Sequence, residues 1–210
     1  LINGKPLLAY TIESTIASNC FNKIMVSTES EKISIIAKEY GAEVPFYRHS
    51  DLAQDDTTSD EVIFNVLTEL ANLNQTYDIV VLRDCTVPFI DENDIRGALK
   101  LFLDNDCDAV FCSIRAHPNP YFGMMEPNKD GFLVSSKVPF SNITRRQDAP
   151  KSYDMNASIY IWKRDSILNE KVLFLESTGL YVMPEERSID IDNELDYKFV
   201  EFLMKEKDAK

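Results

Sequence analysis

Residues of the metal-binding and redox kinds are few in this sequence. It has two histidines, His49 and His117, and four cysteines, Cys20, Cys85, Cys107 and Cys112, none of them in C-x-x-C spacing. That set argues against a zinc centre and a secreted disulfide framework, and it points to a reducing cytoplasm. Glycine is scarce, with six in 210 residues. No G-x-x-x-x-G-K-[ST] loop, G-x-G-x-x-G fingerprint or G-x-S-x-G elbow is present. No apolar run reaches the roughly 18–20 residues that span a bilayer, and no signal peptide is visible. Positive charge is also short: 22 Lys and Arg stand against 35 Asp and Glu, a formal charge of −13. A nucleic-acid surface needs a basic stripe, so that class is disfavoured. A small nucleotide site, built from a few local cations and backbone donors, remains open.

What is present is ordinary globular composition, 44% hydrophobic and 27% charged. At this length one core buries about two-thirds of the unfolded surface, which favours one domain with an excursion over two domains. Twelve phenylalanines and nine tyrosines are scattered without a stripe, a pattern of packing and not of base stacking. Leu1 is not an initiator methionine, and Leu1-Ile2-Asn3-Gly4-Lys5-Pro6 runs straight towards a helix without the opening strand usual in an α/β domain. A truncated chain and an omitted N-terminal segment both fit that beginning.

Pro6 opens a helix whose apolar residues are Leu7, Leu8, Tyr10, Ile12 and Ile16. A strand is expected over 23–28, then a helix capped by Ser30, running through Tyr40 and ended by Gly41. A short strand follows over 43–47, a polar loop over 49–60, and a helix over 61–73 with Ser59 or Asp60 as its cap. Asp78-Ile79-Val80-Val81-Leu82 is the clearest core strand. Asp91 caps a helix over 93–103, and another strand covers 108–113. Between 117 and 153 the rhythm breaks: Pro118, Pro120, Pro127, Pro139 and Pro150, with Gly123 and Gly131, suit an irregular β excursion. A strong strand over 157–162, a short helix from Asp165, a strand over 180–183 and a helix over 193–204 complete the chain. This alternation predicts a three-layer α/β sandwich with a mostly parallel sheet, and ligand contacts beyond the carboxyl ends of its strands.

Ser188-Ile189-Asp190-Ile191-Asp192 is the sharpest local signal. In an extended segment alternate residues share a face, so Asp190 and Asp192 converge while Ile189 and Ile191 anchor the core. Two convergent carboxylates suit Mg²⁺, completed by water and phosphates; a solvated alternation with Asp192 as a helix cap is the plainer reading. Arg145-Arg146-Gln147-Asp148 is a basic cluster in an acidic chain, fit for a carboxylate or phosphate, or for salt bridges to the acidic excess. Asn156 is either a base or sugar contact or a turn residue. Ser27, Thr28, Asp84 and Thr86 occupy strand ends where α/β sheets bind ligands, though each also suits a turn or cap, and Arg83 is a candidate for a structural salt bridge. The stretch Asp55-Asp56-Thr57-Thr58-Ser59-Asp60 offers either polar groups for a polyhydroxylated ligand or a helix cap.

Taken in order, these segments resemble the acylneuraminate cytidylyltransferase family, which activates nine-carbon acidic sugars as CMP conjugates. The resemblance rests on Asn3-Gly4-Lys5-Pro6-Leu7-Leu8-Ala9-Tyr10-Thr11-Ile12, Val26-Ser27-Thr28, Tyr40-Gly41-Ala42-Glu43-Val44-Pro45-Phe46 and Asp84-Cys85-Thr86-Val87-Pro88. It continues through Arg145-Arg146-Gln147-Asp148, Asn156-Ala157-Ser158-Ile159-Tyr160 and Ser188-Ile189-Asp190-Ile191-Asp192, and so covers nearly the whole chain.

The resemblance implies a Rossmann-like nucleotidyltransferase sheet over residues 1–210, with 117–153 as an inserted dimerisation arm. It implies CTP and an acidic nine-carbon sugar as substrates, Mg²⁺ held by Asp190 and Asp192, and Arg146 as a further catalytic group. It also implies substrate contacts from Arg145, Arg146, Gln147, Asp84, Thr86, Asn156, Ser27 and Thr28, in a cytoplasmic homodimer that engages neither nucleic acid nor membrane. The family's first strand and its glycine-rich phosphate loop, similar to Arg-x-Gly-Ser-Lys-Gly, have no counterpart here, because this sequence enters the pattern just after them. Many members have Gln-Pro-Thr-Ser-Pro where this chain has Asp84-Cys85-Thr86-Val87-Pro88. The Asp is more similar to members acting on N,N'-diacetyllegionaminic acid, with N-acetylneuraminic acid the near alternative. A 3-deoxy-octulosonate cytidylyltransferase and a non-enzymatic dimeric binding protein are the competing expectations.

Overall fold

Helix starts follow from side chains that satisfy the first free backbone amides. In the computed structural model, which describes residues 1–54, 56–138 and 143–208, with the side chains of Ala157 and Asp208 left aside, Pro6 immediately precedes α1 (Leu7–Ser18). The Ser30 hydroxyl accepts from the Ile33 amide at the start of α2 (Glu31–Glu39), and Gly41 follows with φ +94°. Helix α3 (Ser59–Asn72) begins two residues before the expected position, because Thr58 caps it. Thr58 and Glu61 form a reciprocal capping box, which neither Ser59 nor Asp60 forms here. Asp91 caps α4 (Glu92–Asp104) as its sequence position implies, and Asp94 completes a second box. The expected contributions of Asp55 and Pro139 lie outside the described residues.

The sheet contains β1 (Ile79–Arg83), β2 (Ala109–Arg115), β5 (Tyr153–Lys163) and β6 (Thr178–Val182), in the order β1-β5-β2-β6. Strands β3 (Met125–Pro127) and β4 (Leu133–Ser135) form a separate antiparallel hairpin. Strands β2 and β6 are parallel, whereas β5 runs antiparallel to both β1 and β2. The sheet is therefore mixed: β1, β2 and β6 share one direction and β5 opposes them. The reason is topological. The excursion after β2 leaves and re-enters at the same end of the sheet, so the next strand must run back.

Two expected strands are reduced to a single bridge. Met25 and Glu43 pair in parallel, with Val26 donating to the Glu43 carbonyl and Glu43 to the Ile24 carbonyl, each at 2.9 Å. Their side chains nevertheless pack: Ile24, Val26 and Val44 surround Ile12, Ala37 and Ala42 beneath α1 and α2.

Strand alternation divides the main core between the two sheet faces. Val110, Cys112, Ile159 and Ile161 face Ile95, Ala98 and Phe102 of α4. Ala109, Phe111 and Trp162 face Ile63 and Leu67 of α3 and Ile167 of α5 (Arg164–Glu170). This gives the three layers, with each buried Ile contributing about 1.5–3 kcal/mol relative to exposure. A further cluster joins Ile2, Phe89, Val200 and Met204 to Ile189 and Ile191. It packs α6 (Glu194–Asp208) against the loop after β1 and fixes the segment that carries Asp190 and Asp192.

Candidate active site

The carboxyl ends of β1 and β6 each run into a loop, and those loops meet. The Ile191 amide donates to the Thr86 carbonyl at 3.0 Å. Ile189 and Ile191 turn into the apolar cluster, as their spacing predicts, although the segment is irregular and pairs with no strand. Asn193 caps α6, accepting from the Leu195 and Asp196 amides, while the Asp196 carboxylate accepts from the Asp192 and Asn193 amides. Asn193, and not Asp192 as the plainer reading of the sequence has it, is thus the helix cap. Asp192 is exposed and Asp190 half-buried.

Asp190 Oδ1 is buried and has no hydrogen-bond partner among the described residues. A buried, unbonded carboxylate oxygen is costly unless a cation or donor satisfies it. Asp84 lies in the same electrostatic neighbourhood. Burial, then the negative charges of Asp84 and Asp190, push the Tyr160 phenol up, and burial, Asp84 and Asp190 do the same to the Cys85 thiol. One Asp84 oxygen is occupied by the Cys85 amide at 2.8 Å. No group of three or more His, Cys, Asp and Glu side chains that could hold a metal occurs among the described residues. The unbonded Asp190 oxygen, with the exposed Asp192 two residues on, offers the hard oxygen donors that Mg²⁺ takes together with water and phosphate oxygens.

The remaining expected site residues fall into three sets. Arg145, Arg146 and Gln147 are exposed and lie in the chain leading to the amino end of β5, the same sheet end as Asp84 and Asp190. Arg145 donates through Nε and Nη2 to both Asp148 oxygens, at 2.7 and 3.2 Å, so its fork is occupied. Among the described residues no ion pair joins Arg146 to Asp84 or Asp190. Ser27 and Thr28 belong to the bridged segment beside residue 43. The Ser27 hydroxyl is buried without a hydrogen-bond partner among the described residues, whereas the Thr28 hydroxyl accepts from the Ser30 amide. Asn156 is buried, its amide donating to the Ser188 hydroxyl at 2.6 Å and its carbonyl oxygen accepting from Ser158.

Several residues were not legible as a group in the sequence. Arg83 forms no ion pair among the described residues, contrary to the salt-bridge expectation. It donates to the Thr15 hydroxyl at 2.9 Å and the Ser158 carbonyl at 3.1 Å, and burial pushes its pKa down to about 10. Arg187 pairs with the buried Asp94. Ninety-three residues separate the two, and nothing in the sequence marked them as partners.

A family model described as Cytidylyltransferase matches residues 1–207. The chain is similar to Post-translational flagellin modification protein B of Campylobacter coli, at 41% identity, over 98% of this chain and 87% of that protein. It is 39% identical to CMP-N,N'-diacetyllegionaminic acid synthase of Campylobacter jejuni, over 97% of this chain and 86% of that one. Among solved structures, CMP:2-keto-3-deoxy-manno-octonic acid synthetase complexed with CTP superposes with a TM-score of 0.69 at 14% identity, covering 99% of this chain and 90% of that one. That likeness shows the shared α/β nucleotidyltransferase fold.

Proposed function

The chain belongs to the cytidylyltransferase family, and from that premise we infer that it transfers CMP from CTP to the anomeric hydroxyl of a nonulosonic acid. The sugar is N,N'-diacetyllegionaminic acid, a reading supported by the relative named for it and by Asp84 at the strand end. The observation that carries the site is the buried, unpartnered Asp190 oxygen at the junction of the β1 and β6 loops.

In the reaction the sugar oxygen forms a bond to the α-phosphorus, the bond between the α-phosphorus and the bridging oxygen breaks, and pyrophosphate leaves with that electron pair. The hydroxyl proton is released to solvent or phosphate. Asp190 and Asp192 would hold Mg²⁺, which would supply positive charge to the phosphates. Asp84 and Thr86 orient polar groups of the sugar and cytidine, and Ser27 and Thr28 contact the nucleotide side. Arg146, with Arg145 and Gln147 beside it, faces the sugar carboxylate, where a guanidinium fork gives both charge and orientation.

The active species is a homodimer built through the 117–153 excursion. Its hairpin leaves Phe132 and Leu133 exposed at 72% and 67%, and Val138 beyond it at 84%, large apolar side chains that a subunit interface would cover. No described helix is long and apolar enough to cross a membrane; the four free cysteines and the need for CTP favour the cytoplasm.

The test is pyrophosphate release from CTP and Mg²⁺ by the full encoded chain with a panel of nonulosonic acids and 3-deoxy-octulosonate. Highest kcat/KM with N,N'-diacetyllegionaminic acid is expected. Preference for 3-deoxy-octulosonate would overturn the sugar class, and a folded dimer without sugar-dependent release would be a binding protein.

A further inference from the structure

The segment that carries Asp190 is tied down just before it, at Arg187 and at Ser188, by side chains that its own chemistry does not require. Arg187 Nε and Nη2 donate to the two oxygens of Asp94 at 2.7 and 2.8 Å. Asp94 is 1% exposed and sits in the first turn of α4, the helix that follows the Asp84–Thr86 loop. Its Oδ2 also accepts from the Asp91 amide at 3.3 Å. Arg187 ends the short 3₁₀ turn Glu185–Arg187, and the next residue is Ser188. Asn156 of β5 donates to the Ser188 hydroxyl at 2.6 Å, and Ser188 donates onward to the Pro184 carbonyl at 3.4 Å. Ser158, fully buried, donates to the Asn156 carbonyl oxygen and so turns the amide nitrogen towards Ser188.

A paired guanidinium–carboxylate contact fixes both distance and orientation. Burying such a pair is weak evidence for stability, because desolvation offsets the attraction, and its best attested use is to specify geometry. Here the pair couples the helix after one site loop to the turn before the other. Asp190, between these tethers and the Ile191–Thr86 hydrogen bond, keeps an oxygen free of any described partner. The surroundings are satisfied while the carboxylate is not.

We propose that Arg187, acting through Asp94, and Asn156, acting through Ser188, are positioning residues that hold Asp190 and Asp192 against the loop after β1. This rests on the reading of those two carboxylates as the metal-holding pair. Neither Arg187 nor Asn156 needs to touch substrate for this role. Residues that orient metal-holding side chains typically change affinity by about 10–100-fold when altered.

The test uses Arg187→Lys, which keeps the charge but loses the fork, and Ser188→Ala, which deletes one hydroxyl. Two quantities are read on the full encoded chain: hydrogen exchange of the Ile191 amide, and Mn²⁺ binding by electron paramagnetic resonance. Faster Ile191 exchange with unchanged exchange in β5 and α3, together with Mn²⁺ affinity lowered about 10–100-fold, is expected. Ile191 exchange and Mn²⁺ affinity equal to the parent's, even with a lower Tm, would overturn the proposal and leave a stability device. Should Arg187→Lys fail to fold, Ser188→Ala decides alone. If Asp190→Asn and Asp192→Asn leave Mn²⁺ binding intact, the metal reading falls separately, and Ile191 exchange still decides whether the tethers position the turn.

Discussion

The Ile191 amide reaches the Thr86 carbonyl at 3.0 Å, which joins the loop after β1 to the loop after β6 through backbone alone. Because neither side chain takes part, substitutions at the neighbouring carboxylates can test chemistry without cutting this link. Asp190 is the best placed of them.

Asp190→Asn is expected to lower kcat/KM by roughly 100-fold or more, the scale seen when one electrostatic contributor is removed. Its Tm is expected to stay equal or rise, since a buried, unbonded charge is replaced by a neutral amide of the same shape. Steady-state kinetics beside calorimetry checks this. Full activity with a lowered Tm would make Asp190 structural.

Thiol reactivity should separate the cysteines. Burial pushes Cys112 up to about 12, and burial with the adjacent Asp84 charge raises Cys85. Cys107 is buried and Cys20 exposed. At about pH 8, where an unhindered thiol is partly ionised, iodoacetamide followed by peptide mass mapping is expected to label Cys20 first. Rapid labelling of Cys85 would show that its loop opens.

Acid sensitivity should arise in part at the start of α3. The Thr58 amide, then the Thr58 hydroxyl, hold the Glu61 carboxyl below its ordinary value of 4.5. A lowered folded-state pKa gives stability that is complete above the unfolded value and is lost as pH falls through the folded one. Glu61→Gln keeps a capping box but cannot titrate. Between about pH 6 and about pH 3 the parent's Tm is expected to fall towards that of the variant. Parallel curves would remove Glu61 from the acid response.

The hairpin offers a direct test of the oligomer. Phe132→Glu with Leu133→Glu alters two largely exposed side chains, so monomer stability is expected to change by no more than about 0.5 kcal/mol per site. Sedimentation velocity is expected to shift from dimer to monomer. A persistent dimer would move the interface away from this excursion.

Several features of the fold were readable because their causes are local. The apolar run Ile79-Val80-Val81-Leu82 marks a strand wherever its partners lie, and Ser30 and Asp91 announce helices because their oxygens reach amides within three residues. The sequence points to Ser59 or Asp60 as the cap of α3 and the structure has Thr58; several residues there are competent caps, and the reciprocal contact with Glu61 decides among them. The extended segments around Met25 and Glu43 show the opposite limit, where strand propensity produced one bridge and no ladder.

The sequence by itself determined the alternation of helices and strands, the turning of Ile189 and Ile191 into the core, and the family pattern. Only the tertiary structure decided that β5 runs against its neighbours, that Arg187 closes on Asp94, and that Asn156 engages Ser188. Strand residues carry no local mark of direction, and partners joined by a buried hydrogen bond leave no mark in sequence spacing. Such contacts exist only once the sheet has brought distant segments to one end.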